Sequence, residues 1–547
     1  MRWATCIALW LAMCSSASAL ATGDTFCDLT RGPDAVSVTT ETDTGNLAAA
    51  QDNWSGMGVT VTTHKTNGGL AVDLKSPSAA AKHVRLQWKT APQTDWKYLG
   101  DDWERAYGDL EWKTLENVKV MPWYFLATDG TTTHGYGVTT GPSAMCSWSV
   151  DTNGITMDAD VRCGGTGVQL GERTLSVCVV ICRQGLEHEN PFQAAQAFCR
   201  QMCLKPRLPS QPVFGFNDWY CSYGKDTAEK FLSNVDYVVS LSPTNGNRPF
   251  AVVDDGWQVK GDAGGTNGPG LWFRTSPKFS SNLTMPDFAG LVRNAGARPG
   301  IWVRPLIADP DQPREWRLAR DRNYLDPSVP EVRAYVRQVM ARLKGWGFEL
   351  IKHDYSTFDL MGQWENKGQK DVTRDGWAFA DHSRTTAEII RTFYQDIRDA
   401  VGNDELILGC NTIGHLAAGI FELQRIGDDT SGQEWARTKK MGVNCLAFRA
   451  PQHGTFFAAD ADCAGQMAAD SVPWEKNSQW LDLLARSGTA LFVSFPHETV
   501  RPEQTEAVRR ALTSAAGPQP TAQPLDWLDS KTPSRWILDG QEVSFSW

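Results

Sequence analysis

The chain predicts an α/β protein: a (β/α)8 TIM barrel preceded by an antiparallel β-sandwich and followed by a short C-terminal β extension. Three observations carry this expectation. Beyond residue 205, short apolar runs alternate with longer helical stretches, the texture of a parallel sheet wrapped by helices. Before residue 205, short strands broken by Gly, Asn, Asp and Thr clusters run on without a long amphipathic helix. Several of the apolar runs in the second part end in polar or charged residues, and the C-terminal ends of parallel strands are where such folds place chemistry.

Residues 1–21 have the features of a secretory signal. Arg2 is a minimal positive region, residues 3–13 are apolar, and Ala19-Leu20-Ala21 supplies small residues for cleavage. The apolar part is too short for a membrane-spanning helix, and no other stretch reaches that length. The mature protein is therefore expected to be secreted or periplasmic. Residues 22–205 form the sandwich, with strands such as 58–62 and 175–180, a closing helix over 191–204, and a proline-rich linker over 205–210. The barrel, 206–515, takes strands at 213–219, 249–254, 300–304, 348–354, 405–410, 423–427, 455–459 and 490–495. Helices at 227–241, 285–295, 331–344, 383–401 and 474–486 lie between them, and another follows at 503–515. A doubly wound sheet would carry a Gly-rich phosphate turn after its first strand, and Phe216-Asn217-Asp218-Trp219-Tyr220 is not one. Residues 516–547, rich in Pro and Trp, form the closing β segment.

At 547 residues the chain can bury more than one large core. The formal charge of −10 and the absence of any basic run argue against nucleic acid or an anionic membrane surface as partner. The 23 Trp fill cores or stack on the C–H faces of sugars. Of 13 Cys, Cys6 and Cys14 lie in the leader. Cys146, Cys163, Cys178, Cys182, Cys199 and Cys203 cluster, and in an oxidising compartment they are expected to form disulfides. The pairs Cys178/Cys182 and Cys199/Cys203 also have zinc-ligand spacing, but no His cluster accompanies them. Asn53 and Asn282 head glycosylation sequons.

The strand ends carry the candidate site. The run 348–354 ends in Lys352-His353-Asp354, and burying Lys and Asp there is costly unless they are paired or used. The other strands deliver Asn217, Asp218 and Trp219; then Asp254, Asp255 and Trp257; then Trp302 and Arg304; then Cys410 and Asn411. Arg425, Asp428 and Asp429 follow, and then Asp460 and Asp462. This mouth is rich in carboxylates, walled by aromatics and poor in histidine. It suits glycosyl transfer, in which two carboxyl groups flank a cationic transition state. No calcium-loop spacing occurs, and no metal or other cofactor is expected. Asp460 and Asp462 read as structural, His353 as packed behind the site, and Cys410 as a pocket-lining thiol without reactivity.

At these residues the chain resembles the α-galactosidase clan, glycoside hydrolase families 27 and 36, and family 36 more closely. The matching pieces are Asp254-Asp255-Gly256-Trp257, Gly300-Ile301-Trp302-Val303-Arg304-Pro305, Ile351-Lys352-His353-Asp354 and Arg425-Ile426-Gly427-Asp428-Asp429-Thr430. A fifth is Ser487-Gly488-Thr489-Ala490-Leu491-Phe492-Val493-Ser494. They stand in the clan's order over 211–495. The resemblance implies a retaining exo-α-glycosidase acting on terminal α-galactosyl residues of an oligosaccharide or glycoconjugate. Asp354 would be the nucleophile and Asp429 the general acid/base. Lys352 and Arg425 would contact the sugar, and Lys352 would also hold Asp354 ionised. Asp254 and Asp255 would grip the O4 and O6 hydroxyls, with Trp219 and Trp257 in the wall. The C-terminal segment is shorter than the families usually carry, and Arg304 stands where many family 36 members have an acid. These departures leave open a related α-glycosidase: an α-N-acetylgalactosaminidase, a β-L-arabinopyranosidase or an isomalto-type enzyme. A carbohydrate-binding protein without catalysis and a structural surface protein are the competing classes.

Overall fold

The computed structural model describes residues 25–244, 246–259, 271–280, 283–365, 370–465 and 472–547. The expected leader and the sequon at Asn282 lie outside the described residues.

Two antiparallel sheets form the first part. The six-stranded sheet runs in the order Met121–Pro122, Met145–Asp151, Gly154–Asp160, Ala81–Trp88, Ala35–Thr40, Thr44–Asn46. The nine-stranded sheet is centred on Thr174–Arg183, between Gly69–Lys75 and Thr133–Val138. Alternation decides which faces pack. In Ala35–Thr40 every second residue, Val36, Val38 and Thr40, is buried. The inner faces meet in one apolar core with Trp88, Phe125 and Trp148 at its centre. A helix, Pro191–Met202, capped at both levels by Asn190 and Gln193, closes the sandwich on the barrel side.

The second part is a closed barrel of eight parallel strands. They are β1 Phe214–Asn217, β2 Phe250–Val253, β3 Arg298–Val303 and β4 Leu350–His353. The remaining four are β5 Leu406–Gly409, β6 Leu423–Arg425, β7 Ala458–Gly465 and β8 Ala490–Ser494. Seven of the eight lie where the sequence predicts them. The exception is β7, expected over 455–459, which continues to Gly465 through a bulge between Asp460 and Cys463. Its two aspartates read as a strand end because acids are rare inside a buried strand; here a bulge and an ion pair accommodate them. The outer helices, including Ala228–Leu241, Pro330–Gly345, Thr386–Val401 and Trp474–Ala485, begin and end within three residues of expectation.

Period-two alternation builds the barrel interior in layers. Val252, Leu350, Leu408, Leu423, Ala458 and Phe492 pack together inside it. Two residues further along, the same faces present Asp254, Lys352, Cys410, Arg425 and Asp460. The apolar layer is thus a floor, and the polar layer above it is the mouth.

Sandwich and barrel share one core. Trp103, Trp123, Phe192 and Phe198 pack in the same cluster as barrel residues such as Ile426, Phe448 and Phe456. A three-stranded antiparallel sheet, Gln523–Pro524, Arg535–Leu538 and Gln541–Ser544, ends the chain, and Trp527 wedges against Trp112 and Phe192.

The expected disulfides are not present. All eleven cysteines from Cys27 to Cys463 are free thiols. Cys178 and Cys182 lie on one strand, Thr174–Arg183. Four residues of strand span roughly 13 Å, about twice the reach of a disulfide between Cα atoms. Strand geometry excludes the Cys178–Cys182 pairing alone; the Cys146 and Cys178 side chains lie against each other between the two sheets.

Candidate active site

A cavity of about 550 Å³ opens at the C-terminal ends of the barrel strands. Trp219, Asp254, Asp255, Trp302, Lys352, Asp354, Cys410 and Asp429 all line it. So do residues the sequence did not single out: Arg105 and Tyr107 from the sandwich, Tyr223, Tyr355, Trp364 and Glu365, and Arg437, Lys440 and Met441.

Asp354 follows β4 directly. Its Oδ2 accepts a hydrogen bond from the Trp302 indole at 3.0 Å, and its Oδ1 accepts from the Tyr355 amide at 2.7 Å. Tyr355 adopts φ 65°, a left-handed conformation costly for a residue with a large side chain. That turn aims the Tyr355 N–H back at the carboxylate. Burial alone would raise the Asp354 pKa, but the cations Arg105 and Lys352, with the two hydrogen bonds, hold it below the usual carboxylate range.

Lys352 forms its short contact elsewhere. Its Nζ lies 2.6 Å from Asp254 Oδ2, a buried pair. Asp254 is fixed on every side: Oδ2 also accepts from Asn217 Nδ2 at 2.8 Å, Oδ1 from the Asp255 amide at 2.9 Å, and its own amide donates to Asp218 Oδ1 at 2.7 Å. Asp218, expected at the mouth, sits beneath Asp254. Burial and the Asp254 charge push its carboxyl well above the usual range. Asp255 Oδ1 accepts from Gln258 Nε2 at 2.6 Å.

Across the cavity, Asp429 Oδ1 lies 3.0 Å from Arg425 Nη2. The Asp429 side chain is 41% accessible, and it lines the open mouth of the cavity. Burial there raises its pKa, with Arg425 opposing and Asp462 and Asp428 adding to the rise. Its neighbour Asp428 behaves oppositely. Burial would raise it, but Arg105 Nη2 at 2.7 Å and Arg437 Nη2 at 2.6 Å clamp both oxygens and lower its pKa. Two adjacent carboxyls are thus separated by their surroundings: Asp428 is an ion-pair partner, and Asp429 retains its proton more readily.

The sandwich completes the wall. The amide of Ala106 donates to the Ile426 carbonyl at 2.9 Å, and the Asp428 amide donates to the Ala106 carbonyl at 3.2 Å. This main-chain splice seats Arg105 over the mouth. At Gly108, φ 75°, a Cβ would meet the Lys440 carbonyl oxygen at 2.2 Å, so only glycine permits the approach. Arg105 also lies over the Trp364 ring, 5.0 Å from its centroid.

Three expected site residues are placed otherwise. Trp257 is fully buried, and its indole donates to the Trp302 carbonyl at 2.8 Å. It supports a wall residue without being one, because the chain turns inward at Gly256. Arg304 is also buried: its guanidinium makes two bonds to Asp359, at 2.6 and 3.1 Å, with Tyr355 stacked 4.0 Å away. One residue beyond β3, it is drawn under Tyr355 to Asp359 and does not line the cavity. Arg425 lies beneath the cavity lining, 1% exposed, and reaches it through Asp429.

His353 is buried among Phe393, Tyr394 and Phe421, and burial lowers its pKa to about 3. Among the described residues, one group has three possible cation ligands within reach of one another: His83 and Asp160 on the sandwich, and Asp371 from the barrel segment before the helix Thr386–Val401. Arg162 Nη2 already sits 2.6 Å from Asp160 and 3.5 Å from Asp371, which supplies the positive charge a metal would bring.

No family model matches the chain. Solved structures do. An α-galactosidase from Thermus thermophilus, in complex with p-nitrophenyl α-D-galactopyranoside, superposes with a TM-score of 0.60 at 15% identity, over 89% of this chain and 96% of that one. A family 36 α-galactosidase from Geobacillus stearothermophilus, in complex with raffinose, gives 0.58 at 12% identity, over 92% of this chain and 79% of that one. The galactosidase domain of an α-galactosidase-sucrose kinase gives 0.56 at 15% identity, over 88% and 74%. At these identities the likeness is one of architecture, and on that footing the chain has the sandwich-and-barrel fold of the family 36 α-galactosidases.

Proposed function

We propose that the protein is an exported, retaining exo-α-galactosidase working by double displacement. One feature carries the reading: a single cavity holds one carboxyl whose surroundings favour the ionised state, Asp354, and one whose surroundings favour the protonated state, Asp429. Those are the two states that glycoside hydrolysis requires at its start.

In this reading Asp354 attacks the anomeric carbon as Asp429 donates its proton to the departing oxygen. The aglycone leaves as an alcohol and the sugar is held as an ester of Asp354. Asp429, now a carboxylate, removes a proton from water. The resulting hydroxide character attacks the same carbon, releases Asp354 and restores the proton on Asp429. Asp254 and Lys352, locked to each other, present oxygen and nitrogen to the sugar hydroxyls. Asp255 completes that grip, with Trp219 and Trp302 as apolar walls. The α-galactosidases of like fold support the choice of sugar: they are seen in complex with p-nitrophenyl α-D-galactopyranoside, stachyose and raffinose. Export rests on the leader-like residues 1–21.

The test is a proton NMR time course with p-nitrophenyl α-galactoside. Retention produces the α-anomer of free galactose first, and the β-anomer appears only by mutarotation. A first-formed β-anomer excludes the double displacement, and no turnover on any α-glycoside of a nitrophenyl panel excludes the enzyme.

A further inference from the structure

Asp462 has no part in the reaction as written, yet four polar contacts converge on it. Its Oδ2 accepts from Tyr220 Oη at 2.5 Å, from the Thr430 amide at 2.6 Å and from Thr430 Oγ1 at 3.1 Å. Its Oδ1 lies 2.7 Å from Arg425 Nη2, the same nitrogen that reaches Asp429. The side chain is 3% exposed. Its backbone stands at φ 72°, at the β7 bulge, a conformation that a residue with a Cβ seldom adopts. Asp460 Oδ1 accepts the Asp462 amide at 2.9 Å and holds that turn. A strained, buried carboxylate bonded to the residue that follows a catalytic candidate is a local cost that the fold retains.

We propose that Asp462 is a positioning residue for the general acid/base, an inference that rests on the role given above to Asp429. It acts in two ways. Thr430 is the residue after Asp429, so Asp462 Oδ2 anchors the peptide that aims the Asp429 side chain. Asp462 Oδ1 shares Arg425 with Asp429, so part of the guanidinium charge that would ionise Asp429 is spent on Asp462 instead. The other charged and titratable groups facing this pair are Arg105 and Asp428 across the mouth and Arg437, bonded to the Asp429 carbonyl. Tyr220 and Tyr223 face it from the turn after β1, and Asp460 and Cys463 from β7 itself. Asp428 also opposes Asp429 ionisation and accepts the Asp429 amide, but its charge is held by Arg105 and Arg437; Asp462 is the one that shares Arg425 with Asp429 and holds the Thr430 peptide.

The test compares Asp462→Asn with wild type and with Asp429→Ala, on a dinitrophenyl galactoside and on a methyl or disaccharide galactoside. The amide keeps the shape and removes the charge. The alkaline limb of kcat/KM is expected to move toward lower pH by about one unit. The methyl or disaccharide substrate is expected to lose about 10–100-fold in kcat, part of what a general acid supplies, and the dinitrophenyl substrate only a few-fold. An unmoved alkaline limb with an unchanged ratio between the two substrates overturns the inference. If Asp429→Ala shows no preference between the two aglycones either, the acid/base reading itself is wrong. Should Asp462→Asn not fold, Tyr220→Phe removes one donor and keeps the charge. It is expected to slow the poor aglycone several-fold with the alkaline limb in place, and wild-type rates on both substrates overturn the positioning role.

Discussion

Arg105 Nη2 stands 2.7 Å from Asp428 Oδ1, so a cation carried by the sandwich is fixed to a carboxylate carried by the barrel. Arg105 is buried and Asp428 partly so, with side chains 7% and 16% exposed. Its consequence reaches Asp354, for which Arg105 ranks ahead of Lys352 among the cations that lower the pKa.

Replacing Arg105 by Ala should therefore act on rate and stability together. Asp428 would keep only Arg437, and loss of one partner of a buried pair costs about 3–5 kcal/mol. The Asp354 pKa should rise, moving the acid limb of the kcat/KM profile to higher pH. Urea unfolding and a pH–rate profile check both, and an acid limb that stays in place removes Arg105 from the electrostatics of the site.

The pH–rate profile of the wild type should be bell-shaped. Activity needs Asp354 ionised and Asp429 protonated. Because the first is lowered and the second raised, the profile should open below the ordinary carboxylate range on the acid side and close above it on the alkaline side. Asp354→Ala should cut kcat by about 10⁴-fold or more, with near-UV circular dichroism unchanged. A variant with substantial turnover would move the nucleophile elsewhere.

Asp254→Asn should show how far the Lys352 pair supports the barrel mouth. The substitution leaves a buried ammonium facing an amide, and about 3 kcal/mol of stability should be lost. A thermal melt equal to that of wild type would mean that Lys352 finds another partner among the cavity carboxylates.

Arg304 and Asp359 form a buried pair in which burial, only partly offset by the arginine, pushes Asp359 up to about 6. Arg304→Met and Asp359→Leu should each destabilise, and the double variant should be more stable than either single one, because neither charge is left alone. Denaturant midpoints for the four proteins give the coupling. Additive losses would show that the pair is not the reason both residues are buried.

His353 is neutral in the folded protein, with its pKa depressed to about 3, against about 6.5 in an unfolded chain. A depressed pKa contributes stability that is present above the unfolded value and lost as pH falls toward the folded one. Between about pH 6.5 and 3, this single histidine should remove up to about 1.4 kcal/mol per pH unit. His353→Leu should flatten the stability slope in that window. An unchanged slope would place the acid sensitivity at His415 or His453, which burial also lowers.

Strand positions and strand ends were legible in the sequence because a strand buried on both faces is a short apolar run, and because polar residues at its end have to be explained. That is how Asp254, Lys352, Asp354 and Asp429 were expected at the barrel mouth, whose cavity they line. Arg105 and Tyr107 were not, since a charged loop in a β-rich segment gives no sign of the surface it will meet. Trp257 and Arg304 were misplaced for a related reason. They follow strand ends, and beyond the last paired residue nothing periodic says which way a side chain turns.

By itself the sequence determined the layered architecture and the chemical character of the barrel mouth, because both follow from local periodicity and from the cost of burying charge. Only the tertiary structure decided which groups push the two carboxyls toward opposite protonation states. Those states depend on Arg105, Arg425 and Asp462, brought from distant parts of the chain to within a few ångströms, and an electrostatic field set by separation in space is not written in separation along the chain.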